Sequence, residues 1–139
     1  MRIRADKTQP DSPHALSTSV VRRILESVPP EWVEDIRSVR LTNSHAHHCY
    51  AFLSRHEGSL TVFCQKSSCK EAILAVLSEL AAHSMGINRN FGVAQSKAES
   101  RRILSLVQPY LEQILASIPP QEQQRHFGVP PPPPFRAVI

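Results

Sequence analysis

Glu79 and His83 stand four residues apart in SCKEAILAVLSELAAHS, Ser68 to Ser84, the longest apolar run with helical spacing in the chain. On a helix this spacing puts a carboxylate and an imidazole on one face, where both could hold a single divalent cation. The two ligand types suit zinc or a harder ion. The plainer alternative is a polar pair on the solvated edge of a core helix.

Three further groups carry reactive residue types. His45, His47, His48 and Cys49 cluster ahead of a β-rich run, with His56 a little beyond, and His47 or His48 could swing toward Glu79 and His83 if that strand lies beside the helix. No standard ligand spacing is met, so a solvated loop entering a strand is the simpler reading of the cluster. Cys49 or Cys64 beside a histidine could act as an activated thiolate, but Cys64 continues an apolar run and Cys69 falls on the apolar arc of the helix, where cysteine behaves as a small core residue. Near the C-terminus, Pro131, Pro134 and Arg136 satisfy a PxxPx[KR] pattern with Phe135 as an aromatic anchor, a ligand type for aromatic-lined grooves; a stiff polyproline extension is the alternative. Arg22 with Arg23 and Arg101 with Arg102 are short basic pairs suited to solvated helix faces.

The elements that must position these residues follow from periodicity. Ser17, Thr18 or Ser19 caps a helix through Val20, Val21, Ile24 and Leu25, which Pro29 and Pro30 end. A brief turn anchored by Trp32 comes next. Ile36 to Thr42 alternates in the manner of a strand and is expected at a sheet edge, while Cys49 to Ser54 and Ser59 to Gln65 flank a Gly-containing separator and predict a hairpin. Apolar on both sides, the first hairpin strand is expected at the sheet centre. Ser67 or Ser68 caps the apolar helix, with Glu71 at capping-box distance from Ser68, and its expected buried arc comprises Cys69, Ile73, Val76, Leu77, Leu80, Ala81 and Ser84. Gly86 stops it, and Ile87 to Val93 is expected as a loop. A last helix from about Ser96 to Ser117 buries Ile103, Leu104, Val107, Leu111, Ile114 and Ile118, with Pro109 predicting a kink or restart near Gln108.

This order, together with VLSELAAHS, resembles the minimal catalytic domain of zincin metallopeptidases, whose central helix reads VLxHExxHH. The resemblance places Glu79 on the family's general-base glutamate and His83 on a frequent extra histidine after the motif. It places Ser78 and Ala82 on the two metal-binding histidines, and Glu99 where a third ligand of the gluzincin type would fall. The fold it implies is zincin-like; the missing histidines imply a pseudoenzyme, because without two imidazoles no ion is held to activate water.

Composition bounds the rest. The chain has 139 residues, a formal charge of +4 and a pI near 9.3. Residues 17–118 hold eleven basic against nine acidic side chains, a balance of +2 with no obvious clustering, so nucleic acid is an allowed partner that nothing in the sequence requires. The first sixteen residues lack the apolar core of a signal peptide, and no segment reaches the ~20 apolar residues of a membrane span, which leads us to expect a cytoplasmic protein away from membranes. Residues 1–16 and 119–139, the latter with seven of the twelve prolines, are expected to be disordered. Between them, 17–118 is expected as one α+β domain, a three-stranded sheet packed by helices in the order α-β-β-β-α-α. The expected function is binding or regulation through an unknown protein partner, without catalysis or cofactor. The alternatives are a metal-dependent hydrolase drawing zinc to Glu79, His83, Glu99 and His47 or His48, and a nucleic-acid accessory protein.

Overall fold

Alternation between buried and outward residues organises the sheet. In the computed structural model, which describes residues 2–6, 14–42, 51–54, 56–63, 68–86 and 97–125, four strands and four helices follow in the order β1 (Arg2–Ala5), α1 (Thr18–Ser27), β2 (Ser38–Thr42), β3 (Ala51–Ser54), β4 (Ser59–Phe63), α2 (Cys69–Ser84), α3 (Lys97–Ser117) and α4 (Pro120–Gln123). A 3-10 turn, Pro30–Trp32, joins α1 to β2. The sheet order is β1-β2-β4-β3, with β1 and β4 parallel to β2 and β3 antiparallel at the edge. Ile3, Val39, Leu60 and Leu53 lie in one row across it, and Ala5, Leu41, Val62 and Ala51 in the next. Except for the β1 residues, these side chains are buried, and they form the face on which the helices pack.

The expected α+β class holds, but its strand count and order are corrected. β1 adds a fourth strand ahead of α1, from a segment whose only apolar residues there are Ile3 and Ala5. Its support is tertiary: Arg2 N–H donates to Arg37 O at 3.0 Å and Asp6 N–H to Leu41 O at 2.8 Å, so the edge of β2 templates it. With β1 in place, β2 is interior rather than at the edge. The strand expected at the centre is β3, at the edge, because the chain passes the place of β4, turns at the hairpin and inserts β4 between β2 and β3. Its two apolar sides have separate reasons: Ala51 and Leu53 face the core, and Phe52 stands on the outer face.

Local signals place the helices well. Ser17 Oγ accepts from Val20 N–H at 3.3 Å to cap α1. Ser68 Oγ accepts from Glu71 N–H at 3.2 Å, the N-cap half of a capping box for α2, and Glu71 Oε1 accepts from the Ser68 hydroxyl at 3.0 Å. Buried residues occur nearly all round α2, adding Ala72, Glu79 and Ala82 to the expected arc, because α2 is packed by β3, by α3 and by α1. Ser84, expected in the arc, is exposed at the helix end. Helix α3 runs unbroken through Pro109. The bond that a proline removes would have joined it to the carbonyl of Ser105, and both residues are exposed, where water can satisfy that oxygen. Leu104, expected to be buried, is 46% exposed, since the buried stripe of α3 is Ile103, Val107, Leu111 and Ile114, continued by Ile118, with Tyr110 and Leu115 partly buried beside it. Trp32 is buried as expected and meets Tyr110 edge to face, ring centroids 5.3 Å apart.

Both ends extend the packed unit beyond 17–118. His14, Ala15 and Leu16 are buried, and the Arg125 guanidinium donates twice to His14 O, at 3.1 and 3.0 Å. Arg125 O in turn accepts from Cys69 N–H at 2.8 Å, and Gln123 Nε2 donates to Leu115 O and Ile118 O beyond the last turn of α3. The expected loop 87–93 lies outside the described residues. Among the described residues no helix is long and apolar enough to cross a membrane.

Candidate functional site

Two places bring chemistry-bearing residues into defined geometry. The first is the face of α2 toward β3. Glu79 is buried, and its Oε1 accepts a hydrogen bond from the backbone N–H of Leu53 at 3.1 Å. Every second N–H of an edge strand lacks a ladder partner, and Glu79 supplies one for Leu53. One turn later, His83 Nε2 lies 3.8 Å from Asp35 Oδ2, the histidine side chain 12% exposed and the aspartate 66%. Glu99 is half-buried in the first turn of α3. Among the described residues, no three His, Cys, Asp or Glu side chains stand together in a way that could hold a metal ion. His47 and His48 lie outside the described residues, as do Cys49, Cys64 and the tail residues Pro131, Pro134, Phe135 and Arg136. Cys69 is buried under the N-terminal turn of α2, where desolvation, with the Glu122 carboxylate adding to it, pushes its thiol up to about 11. That is the state of a core thiol rather than a nucleophile.

The second place is the outer face of the sheet, which the sequence reading passed over. Strand alternation turns Arg2 and Arg4 of β1, Ser38, Arg40 and Thr42 of β2, Ser59, Thr61 and Phe63 of β4, and Phe52 and Ser54 of β3 to this side. The register sets Arg4, Arg40, Thr61 and Phe52 in a single row from one sheet edge to the other. Arg2, Ser38, Ser59 and Ser54 form the row beside it. Arg2, Arg4 and Arg40 are exposed; Phe52 and Phe63 are half-buried.

Charge on this face is predominantly positive. Asp6, just past β1, takes a bidentate contact from Arg40, Nε to Oδ1 and Nη2 to Oδ2, both 3.1 Å, and its Oδ2 also accepts from Thr42 Oγ1 at 3.0 Å. This network fastens the end of β1 to β2 and leaves Asp6 compensated. Arg2 and Arg4 have no acidic partner among the described residues. At the hairpin end, Glu57 accepts from Ser59 Oγ at 3.3 Å. The signal that could have revealed the face is arginine at alternate positions in RIR and the single outward arginine of VRL, 36 residues further on, which only parallel pairing of β1 with β2 brings together.

The other basic pairs stand apart from it. Arg22 and Arg23 are exposed on α1, and Arg101 and Arg102 line a shallow groove of about 610 Å³ with Met85, Ser105 and Leu106. Compared with known protein families, with curated proteins and with solved structures, the chain matches none.

Proposed function

We propose that this chain is a binding domain without catalysis, and that the outer face of its sheet is where it engages a negatively charged ligand. The observation that carries the proposal is the juxtaposition of Arg4 and Arg40, register partners on adjacent strands, with Arg2 on the same side and one compensated carboxylate among them. Two exposed guanidinium groups on neighbouring strands repel each other unless an anion lies between or beside them. Asp6 answers for Arg40. Among the described residues no acid answers for Arg2 and Arg4, which leaves them to an external anion.

The zincin resemblance enters as ancestry. Ser78 and Ala82 occupy the positions of the family's metal-binding histidines, and the glutamate at the general-base position, Glu79, is used to hold β3 against α2. A zincin-like domain that has exchanged its ion for a core hydrogen bond retains a scaffold on which other surfaces can do the binding.

Heparin titration of the intact chain tests the anion reading. Micromolar binding at low salt that weakens steeply as salt rises, and weakens further in Arg2→Gln/Arg4→Gln, is the expected result. Heparin binding that is absent, or that the double variant leaves unchanged, would remove the outer face as a binding surface.

A further inference from the structure

Strand β1 ends the sheet on the side away from β3, and among the described residues no strand lies beyond it. Arg2 N–H donates to Arg37 O at 3.0 Å and Asp6 N–H to Leu41 O at 2.8 Å, so the residues at even positions, Arg4 among them, turn their backbone groups to β2. Strand geometry then turns the N–H and C=O of Ile3 and Ala5 the other way, toward the open edge. The side chains alternate between the two faces: Arg2 and Arg4 are exposed on the outer one, while Ile3 and Ala5 lie on the core side, Ile3 half-buried and Ala5 exposed. The edge therefore offers backbone groups without a strand partner, flanked by two guanidinium groups on one side and an incompletely covered apolar strip on the other.

We infer that the β1 edge takes up an antiparallel strand from an acidic partner peptide, one in which carboxylates alternate with apolar side chains. The inference rests on the anion reading above and names its ligand. An added antiparallel strand sets each of its residues opposite one of β1, with the two side chains on the same side of the sheet. Opposite Ile3 and Ala5 its backbone exchanges N–H and C=O bonds in closely spaced pairs, and its side chains extend the core row, which calls for apolar residues. Opposite Arg2 and Arg4 its side chains stand on the outer face, where carboxylates give these arginines what Asp6 gives Arg40. Charge complementarity also decides between occupants. A second copy pairing through its own β1 would set arginine opposite arginine, which is destabilising. The charges that blunt this edge against self-association admit a strand that bears acids. A sulfated sugar or polyphosphate would engage the arginines but has no backbone to pair with Ile3 and Ala5.

Fluorescence anisotropy of the full chain with three labelled peptides is the test: Ser-Glu-Val-Glu-Val-Glu-Ser, the same peptide N-methylated at both valines, and the isomer Ser-Glu-Glu-Glu-Val-Val-Ser. The alternating peptide should bind at least about tenfold more tightly than either of the others, since methylation removes the backbone donors that face β1 and the isomer loses the alternation. Ala5→Pro removes an N–H that points away from β2, a place where an edge strand tolerates proline, and leaves every arginine in position. It should weaken the alternating peptide about tenfold or more and leave heparin binding at the wild-type value. Arg4→Gln should weaken the peptide about two- to fivefold and weaken heparin as well. Failure of the alternating peptide to bind, equal binding of the methylated peptide or of the isomer, or wild-type peptide affinity in Ala5→Pro overturns the inference; heparin binding that still depends on Arg2 and Arg4 would then leave the anion reading standing. The methylated peptide makes this test on the unaltered protein, so it holds whether or not the proline variant folds. A sedimenting dimer that Ala5→Pro dissociates would give the edge to a second copy and overturn the inference in that way. Absence of both peptide and heparin binding overturns both readings.

Discussion

Glu79 Oε1 lies 3.1 Å from the backbone nitrogen of Leu53, a hydrogen bond made inside the packed layer between α2 and the edge strand β3. It joins the one buried acid of the apolar helix to a strand that, among the described residues, has a neighbour on one side only. The bond explains why an acid is tolerated at that depth: an edge-strand N–H and a buried carboxylate each need a partner, and each supplies the other's. Glu79→Ala should therefore destabilise the protein by about 1–3 kcal/mol, because it leaves the Leu53 N–H without its acceptor. Glu79→Gln keeps a carbonyl oxygen in place and should lose less. Urea unfolding of the three proteins checks this ordering. A metal-site role would instead show both variants losing zinc equally with little change in unfolding midpoint.

Gly58 closes the hairpin between β3 and β4 with φ of 64°. A Cβ there would stand 2.9 Å from the backbone oxygen of Asp35 and 3.2 Å from Arg37 Cγ. Gly58 O also accepts from Arg37 N–H and Ser38 N–H, so the turn sets where β2 begins beside β4. Gly58→Ala meets both a left-handed backbone and a backbone clash, and a loss of about 2 kcal/mol or more is expected. A thermal midpoint within a degree or two of wild type would show that the turn adjusts freely.

The features legible in the sequence are those written locally. A cap for α1 among Ser17, Thr18 and Ser19, a cap for α2 at Ser67 or Ser68, the stripe from Ile103 to Ile118 apart from Leu104, and the hairpin around Gly58 each depend on residues within a few positions of one another, and the structure places them as expected. The features that were not legible depend on partners far away. β1 exists because β2 offers an edge; β2 is interior because β1 exists; Leu104 is exposed because α3 meets the core along one narrow stripe. The outer face failed to register for the same reason. Arg4 and Arg40 are 36 positions apart and become neighbours only through a parallel pairing that no local pattern announces.

His14 gives the fold a dependence on pH. The residue is buried, its Nδ1 accepts from Leu16 N–H at 3.1 Å, and burial holds its pKa below the ordinary value of 6.5; backbone hydrogen bonds partly oppose this, and the Arg125 guanidinium adds to the lowering. The folded protein therefore keeps the imidazole neutral at pH values where the unfolded chain protonates it. Between the lowered folded pKa and about 6.5 the unfolded chain binds more protons, so the contribution of His14 is complete above about pH 6.5 and is lost as pH falls through that window. The slope can reach about 1.4 kcal/mol per pH unit. Urea midpoints measured from pH 7.5 down to 5 should fall in the wild type and fall less steeply in His14→Gln. Parallel curves would mean that His14 titrates alike in both states.

Asp6 is the residue whose loss should separate stability from binding. It fixes Arg40 with two bonds and Thr42 with a third, and it stands immediately beyond the strand that brings Arg2 and Arg4 to the sheet. The Arg40 side chain is 55% exposed, so the pair contributes about 1 kcal/mol or less after solvent screening, and Asp6→Asn, which keeps the side-chain oxygen as an acceptor, should lower stability only slightly. Removing the carboxylate charge, however, frees Arg40 for an external anion and removes the one acid among the described residues that bonds to an arginine of the outer face. Heparin should consequently bind Asp6→Asn more tightly than wild type at low salt, with a steeper loss of affinity as salt rises, as expected for one additional anion contact. Unchanged or weaker binding in a variant that unfolds at the wild-type urea midpoint would place the anion contacts away from Arg40.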